Sequence, residues 1–346
     1  MNKFKIIIFY LIFSLSACQF FWTEDHDASP LGIFNSLWTG FDEMYALFEA
    51  REIDWDEARE QFLPLISPDM SNMELFWVCA RMLNTLQDPH VTLITPFGTS
   101  YVLIPVVPSN DVFFMNEIRN EYLIDRGKTA GNGRIIYGTI NPEKTSKNIG
   151  YIHFADFQIE NNLNDSWVND IETIIKYFSH TDFLVLDIRN SYGGLGLNME
   201  YIASRFVLEE KDYKKVSTKN GPGRNDFSNP VVLTIRPAGT RYTKPIVLLT
   251  NNETVSAAEW FTLALRTQRH VTHAGEQTKG ALSSMVTRTL VNGWKYTLSI
   301  QKTTDINGIN YEGKGISPNA EHRLNNIDTN QEIGSDRQLE YALTLY

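Results

Sequence analysis

A serine at the start of an apolar segment is the first residue of this sequence that suits covalent chemistry. Ser256 follows a short apolar run, Ile246–Thr250, and a polar stretch, Asn251–Thr254, and the residues after it suit a buried helix. A serine at such a strand–turn–helix junction has its hydroxyl outside the sheet edge. The amide of Ala257 is then one of the unpaired donors at the helix N-terminus. This pattern offers a nucleophile beside an oxyanion site.

The same residues also fit a purely structural role. Ser256 and Glu259 have the spacing of a capping box, in which the serine hydroxyl caps the helix and the glutamate binds the serine amide. Taken alone, this segment favours the cap. A catalytic role for Ser256 therefore depends on which other residues the fold brings to it.

A serine nucleophile needs a base, and histidine and lysine are the usual candidates. Among the seven histidines, His90 lies at a junction between two predicted units, where active-site residues are often supplied across a cleft. Lys279 lies in a glycine-bounded loop and can act as a base if it is desolvated. Glu312, in a glycine-rich turn, can orient a base or bind a substrate amine. Each also has an ordinary alternative, as a surface histidine, a solvated lysine or a turn glutamate.

A pair of glycines follows a second apolar strand. Gly193 and Gly194 end the loop that begins after Asp187, and glycines allow positive φ angles and close backbone approach. Their amides can therefore turn toward a bound anion or carbonyl. Alone, a Gly-Gly turn is more often only a turn. This one gains weight because loops at the carboxyl ends of parallel strands share one edge of the sheet, which brings it to Ser256.

Hydrophobic periodicity predicts the elements that position these loops. Strands and helices alternate over 149–324, which indicates a parallel sheet covered by helices. Before this core, apolar spacing of three to four residues predicts a helical unit at 31–90, and short strands predict a small β-rich region at 91–148. Residues 325–346 form a C-terminal tail. The length of 346 residues suits about two folding units.

The N-terminus has the pattern of a secretory signal. Two lysines precede an apolar run at 6–15, which is too short to span a bilayer and ends in Leu-Ser-Ala-Cys at Cys18. This ending resembles a bacterial lipobox, so we expect a signal peptide at 1–17, a lipidated Cys18 and a tether at 18–30. Lipid chains would hold the protein on a membrane of the bacterial cell envelope, facing the periplasm or the exterior. The alternative is a signal peptide that is cut elsewhere.

Composition argues against several classes of partner. The net charge of −10, with no run rich in Lys or Arg, disfavours nucleic acid. Cys18 and Cys79 are the only cysteines, so a structural zinc site is not expected, and Cys79 suits a buried apolar position. We expect neither a metal nor an organic cofactor.

Five motifs in sequence order resemble those of the serine peptidases of family S41, the C-terminal processing or tail-specific proteases. They are Leu86-Gln-Asp-Pro-His90, Ile149-Gly-Tyr-Ile-His-Phe154, Leu186-Asp-Ile-Arg-Asn-Ser-Tyr-Gly-Gly194, Leu248-Leu-Thr-Asn-Asn-Glu-Thr-Val-Ser-Ala-Ala-Glu259, and Gly275-Glu-Gln-Thr-Lys-Gly280 followed by Glu312-Gly-Lys-Gly-Ile-Ser-Pro318. The resemblance covers most of 31–320. It implies an α/β fold with a parallel-sheet core like that of Clp protease and crotonase, an N-terminal helical unit and a small β-rich connecting region.

The resemblance also implies a role for each site residue. Ser256 is the nucleophile, and the amides of Gly193, Gly194 and Ala257 form the oxyanion hole. The base depends on the branch of the family.

In the branch with a serine–lysine dyad, a lysine stands three residues after the threonine of the Gly-Glu-x-Thr motif, where this chain has Ala281. Lys279 is therefore the alternative base and a poor match. The tricorn-like branch uses a histidine and a glutamate that correspond to His90 and Glu312. In that case His90 accepts the Ser256 proton during attack on a peptide carbonyl and returns it to the leaving amine. Glu312 supports this machinery.

Three positions depart from the family pattern. Pro89 stands where many relatives have glycine or serine, Ser191 replaces an asparagine, and Asn319 replaces an aspartate. Each lowers the expectation of efficient catalysis. The region 91–148 is also short for the PDZ domain that many relatives use to bind substrate C-termini, so such recognition is doubtful.

These observations favour a lipid-anchored serine endopeptidase or oligopeptidase that cleaves peptides or unfolded proteins outside the cytoplasm. A non-catalytic lipoprotein that binds peptides or other ligands on the same fold is the main alternative, and the three departures support it. An acyl-ester hydrolase that uses the same serine is a third, because a fold does not determine the substrate.

Overall fold

The computed structural model describes residues 27–101, 115–159, 167–324 and 335–346. The predicted signal peptide, the lipidation site Cys18 and the first part of the tether lie outside these residues. The helices are α1 (Pro30–Met44), α2 (Trp55–Phe62), α3 (Asn72–Asn84), α4 (Asp170–Tyr177), α5 (Gly196–Ala203), α6 (Ala257–Arg266) and α7 (Arg337–Leu343). Within the described ranges, none of the helices has the length and apolar character needed to cross a membrane.

The strands of the described ranges form three sheets. They are β1 (Thr92–Thr95), β2 (Gly98–Tyr101), β3 (Lys128–Ala130), β4 (Ile135–Thr139), β5 (Ile149–Phe154), β6 (Phe183–Asp187), β7 (Lys211–Thr218), β8 (Val231–Ile235), β9 (Ile246–Thr250), β10 (Val271–Gly275), β11 (Met285–Thr289), β12 (Lys295–Ser299) and β13 (Gln301–Asp305). The largest sheet has the order β10-β9-β6-β5-β4-β3. Its four strands from β10 to β5 are parallel, and β4 and β3 extend it antiparallel. This confirms the predicted parallel-sheet core.

Both faces of the central sheet are buried, which is why its strands are continuous apolar runs. In β9, Ile246 and Leu248 pack with α4, α5 and α6 on one face. Val247 and Leu249 pack with α7 on the other face. Since side chains of a strand alternate between faces, one five-residue strand contributes to two hydrophobic cores.

The N-terminal helices form a third core with a second sheet. Phe34 and Phe41 of α1 are fully buried among α2, α3 and the β1 and β12 strands, and Trp38 is partly buried there. That sheet has the order β11-β12-β1-β2 and is antiparallel. The loop between α3 and β1 contains His90, so the base candidate lies where the helical unit meets the strands.

A buried arginine connects the C-terminal helix to the central sheet. Arg189, just after β6, is fully buried and pairs with Asp187 on one side, Nη2 to Oδ2 at 2.6 Å. On the other side it binds both carboxylate oxygens of Asp336, with distances of 2.9 and 2.8 Å. Asp336 also caps α7 by accepting the amide of Leu339. The start of α7 and the strand end next to the glycine loop are thereby fixed to each other.

Candidate active site

Ser256 lies at the sharp turn between β9 and α6. Its φ of 62° and ψ of −124° differ from the extended conformation of ordinary N-cap residues, and a positive φ is strained for a residue with a Cβ. The helix α6 begins at the next residue, Ala257, whose amide belongs to the first turn and has no intrahelical partner. The predicted strand–turn–helix placement of the serine is therefore present, in a conformation that a simple cap does not require.

The loops after β6 and β9 are held together side by side. Asn251 accepts the Asn190 amide at 2.9 Å and donates its Nδ2 to the Asn190 Oδ1 at 2.6 Å. The Val255 amide donates to the Ser191 carbonyl at 3.0 Å, and Thr254 Oγ1 donates to the Ile188 carbonyl at 2.8 Å. These bonds explain how the glycine loop keeps a fixed position relative to Ser256.

Gly193 packs directly against the serine. A Cβ at this position would lie 2.7 Å from Ser256 Cβ and 2.8 Å from the Ala257 nitrogen, and its φ is 72°. Only glycine fits such an approach without movement of its neighbours. The Gly193 carbonyl accepts the Phe157 amide at 2.7 Å, and because the peptide is trans, the Gly194 N–H points away from Phe157. The structure thus brings Gly193, Ser256 and Ala257 together.

The Glu259 carboxylate is fully buried under the serine turn. It accepts the Ser256 amide at 3.1 Å, as the capping-box pattern predicted, together with Thr278 Oγ1 at 2.7 Å. It also accepts the amides of Gly280 and Ala281, both at 2.8 Å. Burial raises the pKa of Glu259, and these four donors oppose the rise. Glu259 therefore ties the nucleophile turn to the segment that begins at Thr278.

His90 is largely buried and has an aspartate beside it. Its Nδ1 lies 3.7 Å from Asp88 Oδ1, and its backbone amide donates to the same oxygen at 2.9 Å. Burial lowers the pKa of His90, the Asp88 charge opposes that shift, and Arg51 adds to it. A neutral imidazole is the form that accepts a proton from a serine hydroxyl.

Asp88 is the centre of a buried polar network. Its Oδ2 accepts Tyr45 Oη at 3.0 Å and Ser299 Oγ at 2.7 Å. Burial would raise the pKa of Asp88, but Arg51, His90 and the hydrogen bonds outweigh that effect and lower it. Asp88 is therefore a carboxylate that stays ionised beside the imidazole.

Glu312 is connected to the loop that contains His90 by an arginine. Its Oε1 accepts the Leu282 amide at 2.8 Å, and its Oε2 accepts Arg51 Nη2 at 3.1 Å. Arg51 Nη2 in turn lies 3.9 Å from Asp88 Oδ1. Burial and the Asp88 charge raise the pKa of Glu312 to about 8, with Arg51 opposing. The predicted supporting glutamate is thus connected to His90 through Arg51 and Asp88.

The two halves of the candidate site meet on the segment from Gly280 to Leu282. Glu259, which holds the Ser256 amide, binds the amides of Gly280 and Ala281. Arg51 donates to the Gly280 carbonyl at 2.9 Å. A chain of polar contacts therefore runs from the serine turn to the histidine loop.

A cleft of about 750 Å³ opens beside this segment. Its walls come from the helical unit, from the turn before Ser256 and from the Glu312 turn, and most lining side chains are polar or charged. They are Ala50, Arg51, Glu52, Asn84, Gln87, Pro89, Asn252, Glu253, Gln277, Thr278, Lys279, Glu312, Gly313 and Lys314. The volume is within the usual range for ligand sites.

Lys279, the alternative base, is engaged in an ion pair. Its Nζ lies 2.9 Å from Glu253 Oε1, and both side chains are less than one-fifth exposed. Its backbone amide donates to the Thr254 carbonyl at 3.0 Å. Lys279 therefore lines the cleft near the serine turn with its Nζ engaged by Glu253.

The positions that depart from the family pattern differ in their surroundings. Pro89 lines the cleft beside His90. Ser191 is fully buried, and its hydroxyl makes no hydrogen bond to the described part of the chain, although its carbonyl accepts Val255. Asn319 is exposed and precedes the short helical turn Ala320–His322.

Sequence reasoning missed Asp88 and Arg51. Asp88 lies inside the motif that identified His90, two residues before it, so the spacing was a usable signal. Arg51 comes from the loop after α1 and has no such signal, because its partners Gly280 and Glu312 are more than 220 residues away in sequence.

Two family models match this chain. The model of peptidase family S41 matches residues 148–322, and that of the tricorn protease C1 domain matches residues 26–84. The carboxy-terminal processing protease CtpA of Bacillus subtilis is 28% identical over 188 residues, which are 54% of this chain and 37% of CtpA. CtpB of the same organism is 27% identical over 135 residues, 39% of this chain and 26% of CtpB. The matches thus span between about a quarter and little more than a third of these relatives.

A solved structure covers more of the chain. A candidate peptidase from Parabacteroides merdae superimposes with a TM-score of 0.72 and 28% sequence identity. The superposition covers 84% of this chain and 89% of the other. Both the helical unit and the sheet core are therefore shared with another single protein of similar extent.

Proposed function

The chain belongs to peptidase family S41, and on that premise we propose that it hydrolyses peptide bonds with Ser256 as nucleophile and His90 as general base. The observation that carries this proposal is the contact of Gly193 with Ser256 at the start of α6. A positive φ at the serine and a glycine within van der Waals reach are costly features that a plain helix cap does not need.

In the proposed reaction, Ser256 Oγ attacks the carbonyl carbon of the scissile bond and His90 takes its proton. The negative charge that develops on the carbonyl oxygen is stabilised by the amides of Ala257, Gly193 and Gly194. Protonated His90 then gives the proton to the leaving amine, and water hydrolyses the acyl-enzyme by the same steps in reverse order. Glu312 supports His90 indirectly, through its contact with Arg51.

Polypeptide is the proposed substrate, and the cleft supports a preference for polar segments. The charged side chains of Arg51, Glu253 and Lys279 line it, together with several amides. Burying apolar side chains against such walls would leave these groups without water or partners, which costs free energy. We expect peptides with polar or charged residues in the part that occupies this cleft to react faster than apolar ones.

We also propose that the protein acts at the bacterial cell envelope, anchored by lipid on Cys18. The basis is the sequence pattern of residues 1–18 alone. Globomycin, which inhibits lipoprotein signal peptidase, should make the unprocessed precursor accumulate. Substitution Cys18→Ser should release the protein from membranes, and continued membrane retention of that variant would contradict lipid anchoring.

A fluorophosphonate probe tests the catalytic proposal, because it reacts only with activated serines. The wild type should be labelled at Ser256, Ser256→Ala should not be labelled, and His90→Ala should be labelled at least about 100 times more slowly. Thermal unfolding of each variant verifies that the fold is intact.

Absence of labelling in the folded wild type would overturn the proposal and favour a non-catalytic binding protein. If labelling is present, turnover of peptides against simple esters decides the substrate class. Rapid ester hydrolysis without cleavage of any peptide in a random library would contradict the peptidase assignment.

A further inference from the structure

We infer that Asp88 is the residue that orients the His90 imidazole, and that Arg51 holds Asp88 and Glu312 in place as a shared positioning residue. The inference rests on the proposed function, since it requires His90 to act as the base. It assigns to Asp88 the role of setting the imidazole tautomer, and to Glu312 a role that reaches the histidine only through Arg51.

The contacts of Asp88 leave one oxygen for the imidazole. Its Oδ2 is occupied by the hydroxyls of Tyr45 and Ser299, at 3.0 and 2.7 Å. Its Oδ1 accepts the His90 amide and lies 3.7 Å from His90 Nδ1. That nitrogen is buried and makes no hydrogen bond to the described residues, so Asp88 is the acceptor within reach.

The distance of 3.7 Å is longer than a hydrogen bond, so the imidazole must move closer to Asp88 for the bond to form. Catalytic hydrogen bonds often tighten only when substrate is bound. An Nδ1–H that donates to Asp88 leaves the lone pair on Nε2, which is the nitrogen that must accept the serine proton. The buried aspartate then stabilises the imidazolium that forms.

Arg51 fixes the distance between the histidine loop and the Glu312 turn. Its guanidinium donates to the carbonyls of Gln87 and Gly280, at 2.6 and 2.9 Å, and to Glu312 Oε2 at 3.1 Å. The side chain is only 6% exposed. A planar guanidinium with several donors is suited to hold three acceptors in one geometry, which lysine cannot do.

The charge distribution is consistent with these roles. The charges of Asp88 and Arg51 shift the pKa of His90 in opposite directions. The same two charges shift the pKa of Glu312 in opposite directions. One arginine thus lies between two carboxyl groups, and both accept further hydrogen bonds. Removing Arg51 would leave the buried Asp88 charge without its cationic neighbour and Glu312 Oε2 without its donor, which is unfavourable.

The test combines labelling kinetics with the tautomer of His90. In Asp88→Asn the atom that accepts the His90 amide remains an oxygen, but a neutral amide oxygen is a weaker acceptor for Nδ1–H than a carboxylate. The rate of fluorophosphonate labelling should fall roughly 10²–10⁴-fold. The ¹⁵N chemical shifts of His90 should show less of the Nδ1–H tautomer than in the wild type. Ser299→Ala is the matched control, because it removes a hydroxyl from the other oxygen of Asp88. It should keep the wild-type tautomer and slow labelling by less than about 10-fold.

Arg51→Lys provides a second route if Asp88→Asn does not fold. Lysine keeps the positive charge but cannot donate to all three acceptors of the Arg51 guanidinium in the same geometry. Labelling should therefore slow by at least about 10-fold, while the His90 tautomer stays unchanged. Wild-type labelling that depends on Ser256 and His90, combined with normal rate and tautomer in Asp88→Asn, would overturn this inference and leave the proposed function intact. Loss of labelling in the wild type would instead overturn the proposed function.

Discussion

The two halves of the candidate site are built in different ways. The nucleophile half consists of two loops that follow neighbouring parallel strands, and its bonds join residues such as Asn190 and Asn251, which are 61 positions apart. The base half joins Asp88 to Ser299, 211 positions away, and Arg51 to Glu312, 261 positions away. The nucleophile half is formed by loops of one sheet. The base half is formed where the helical unit contacts the late part of the chain.

This difference predicts how substitutions in each half affect activity and stability. The nucleophile half depends on close backbone packing, so a single added methyl group should abolish its function. The base half depends on buried charges that compensate one another, so its variants should change stability and pH dependence as well as rate. The following predictions test that distinction, from the largest expected effect to the smallest.

Among the variants that compare the two halves, Gly193→Ala should have the largest effect on activity. The added Cβ would lie 2.6 Å from the Val255 carbonyl oxygen and 2.7 Å from Ser256 Cβ, so the oxyanion site must shift. We expect labelling and peptide turnover to fall by roughly 10²–10³-fold, the size of effect seen when an oxyanion donor is lost. Gly293→Ala is the control, because Gly293 has a similar φ of 81° but no atom near its Cβ position.

The control variant should lose about 1 kcal/mol of stability through backbone strain and no activity. Near wild-type labelling of Gly193→Ala would mean that the glycine pair does not form the oxyanion site. In that case the contact between Gly193 and Ser256 would be a packing feature only.

Asp336→Asn should have the largest effect on stability. It removes the Asp336 carboxylate that pairs with the fully buried Arg189, and breaking a buried pair costs on the order of 3 kcal/mol. Glu49→Gln is the control, since the Lys302–Glu49 pair has a highly exposed carboxylate and should contribute less than about 1 kcal/mol. Urea unfolding measures both. Equal small losses in the two variants would show that α7 is not held by this charge pair.

The sequence predicted the nucleophile half better than the base half for a physical reason. Alternating strands and helices imply a parallel sheet, and the ends of adjacent parallel strands must meet, so the loop of Gly193 could be assigned to Ser256 without coordinates. The roles of His90 and Glu312 were inferred from resemblance rather than from spacing. Arg51 could not be found, because nothing local in sequence reports which distant carbonyls and carboxylates a loop arginine will contact.

Glu312→Gln should flatten the dependence of stability on pH. The folded-state pKa of Glu312 is raised to about 8, above its ordinary value. Between the unfolded and folded pKa values the folded chain keeps a proton that the unfolded chain has lost, so the free energy of unfolding falls as pH rises through this window. Glutamine does not titrate and removes this contribution.

The measurement is urea unfolding of wild type and variant at pH 5.5 and pH 8.5. The decrease in unfolding free energy between these two conditions should be smaller for Glu312→Gln than for the wild type. Other titrating groups are common to both proteins and cancel in the comparison. An equal or larger decrease in the variant would mean that Glu312 is ionised throughout, as an ordinary partner of Arg51.

Lys279→Met should have the smallest effect, although Lys279 lines the cleft next to the serine turn. Its ammonium group pairs with Glu253 at 2.9 Å, and a partly exposed pair of this kind contributes about 1 kcal/mol or less. Labelling of Ser256 should therefore change less than about 3-fold, and the methionine keeps most of the packing of the lysine stem. Loss of labelling in Lys279→Met, together with labelling retained in His90→Ala, would reverse the assignment of the base. The nucleophile half would then contain its own base, and the buried charges around Asp88 would be structural.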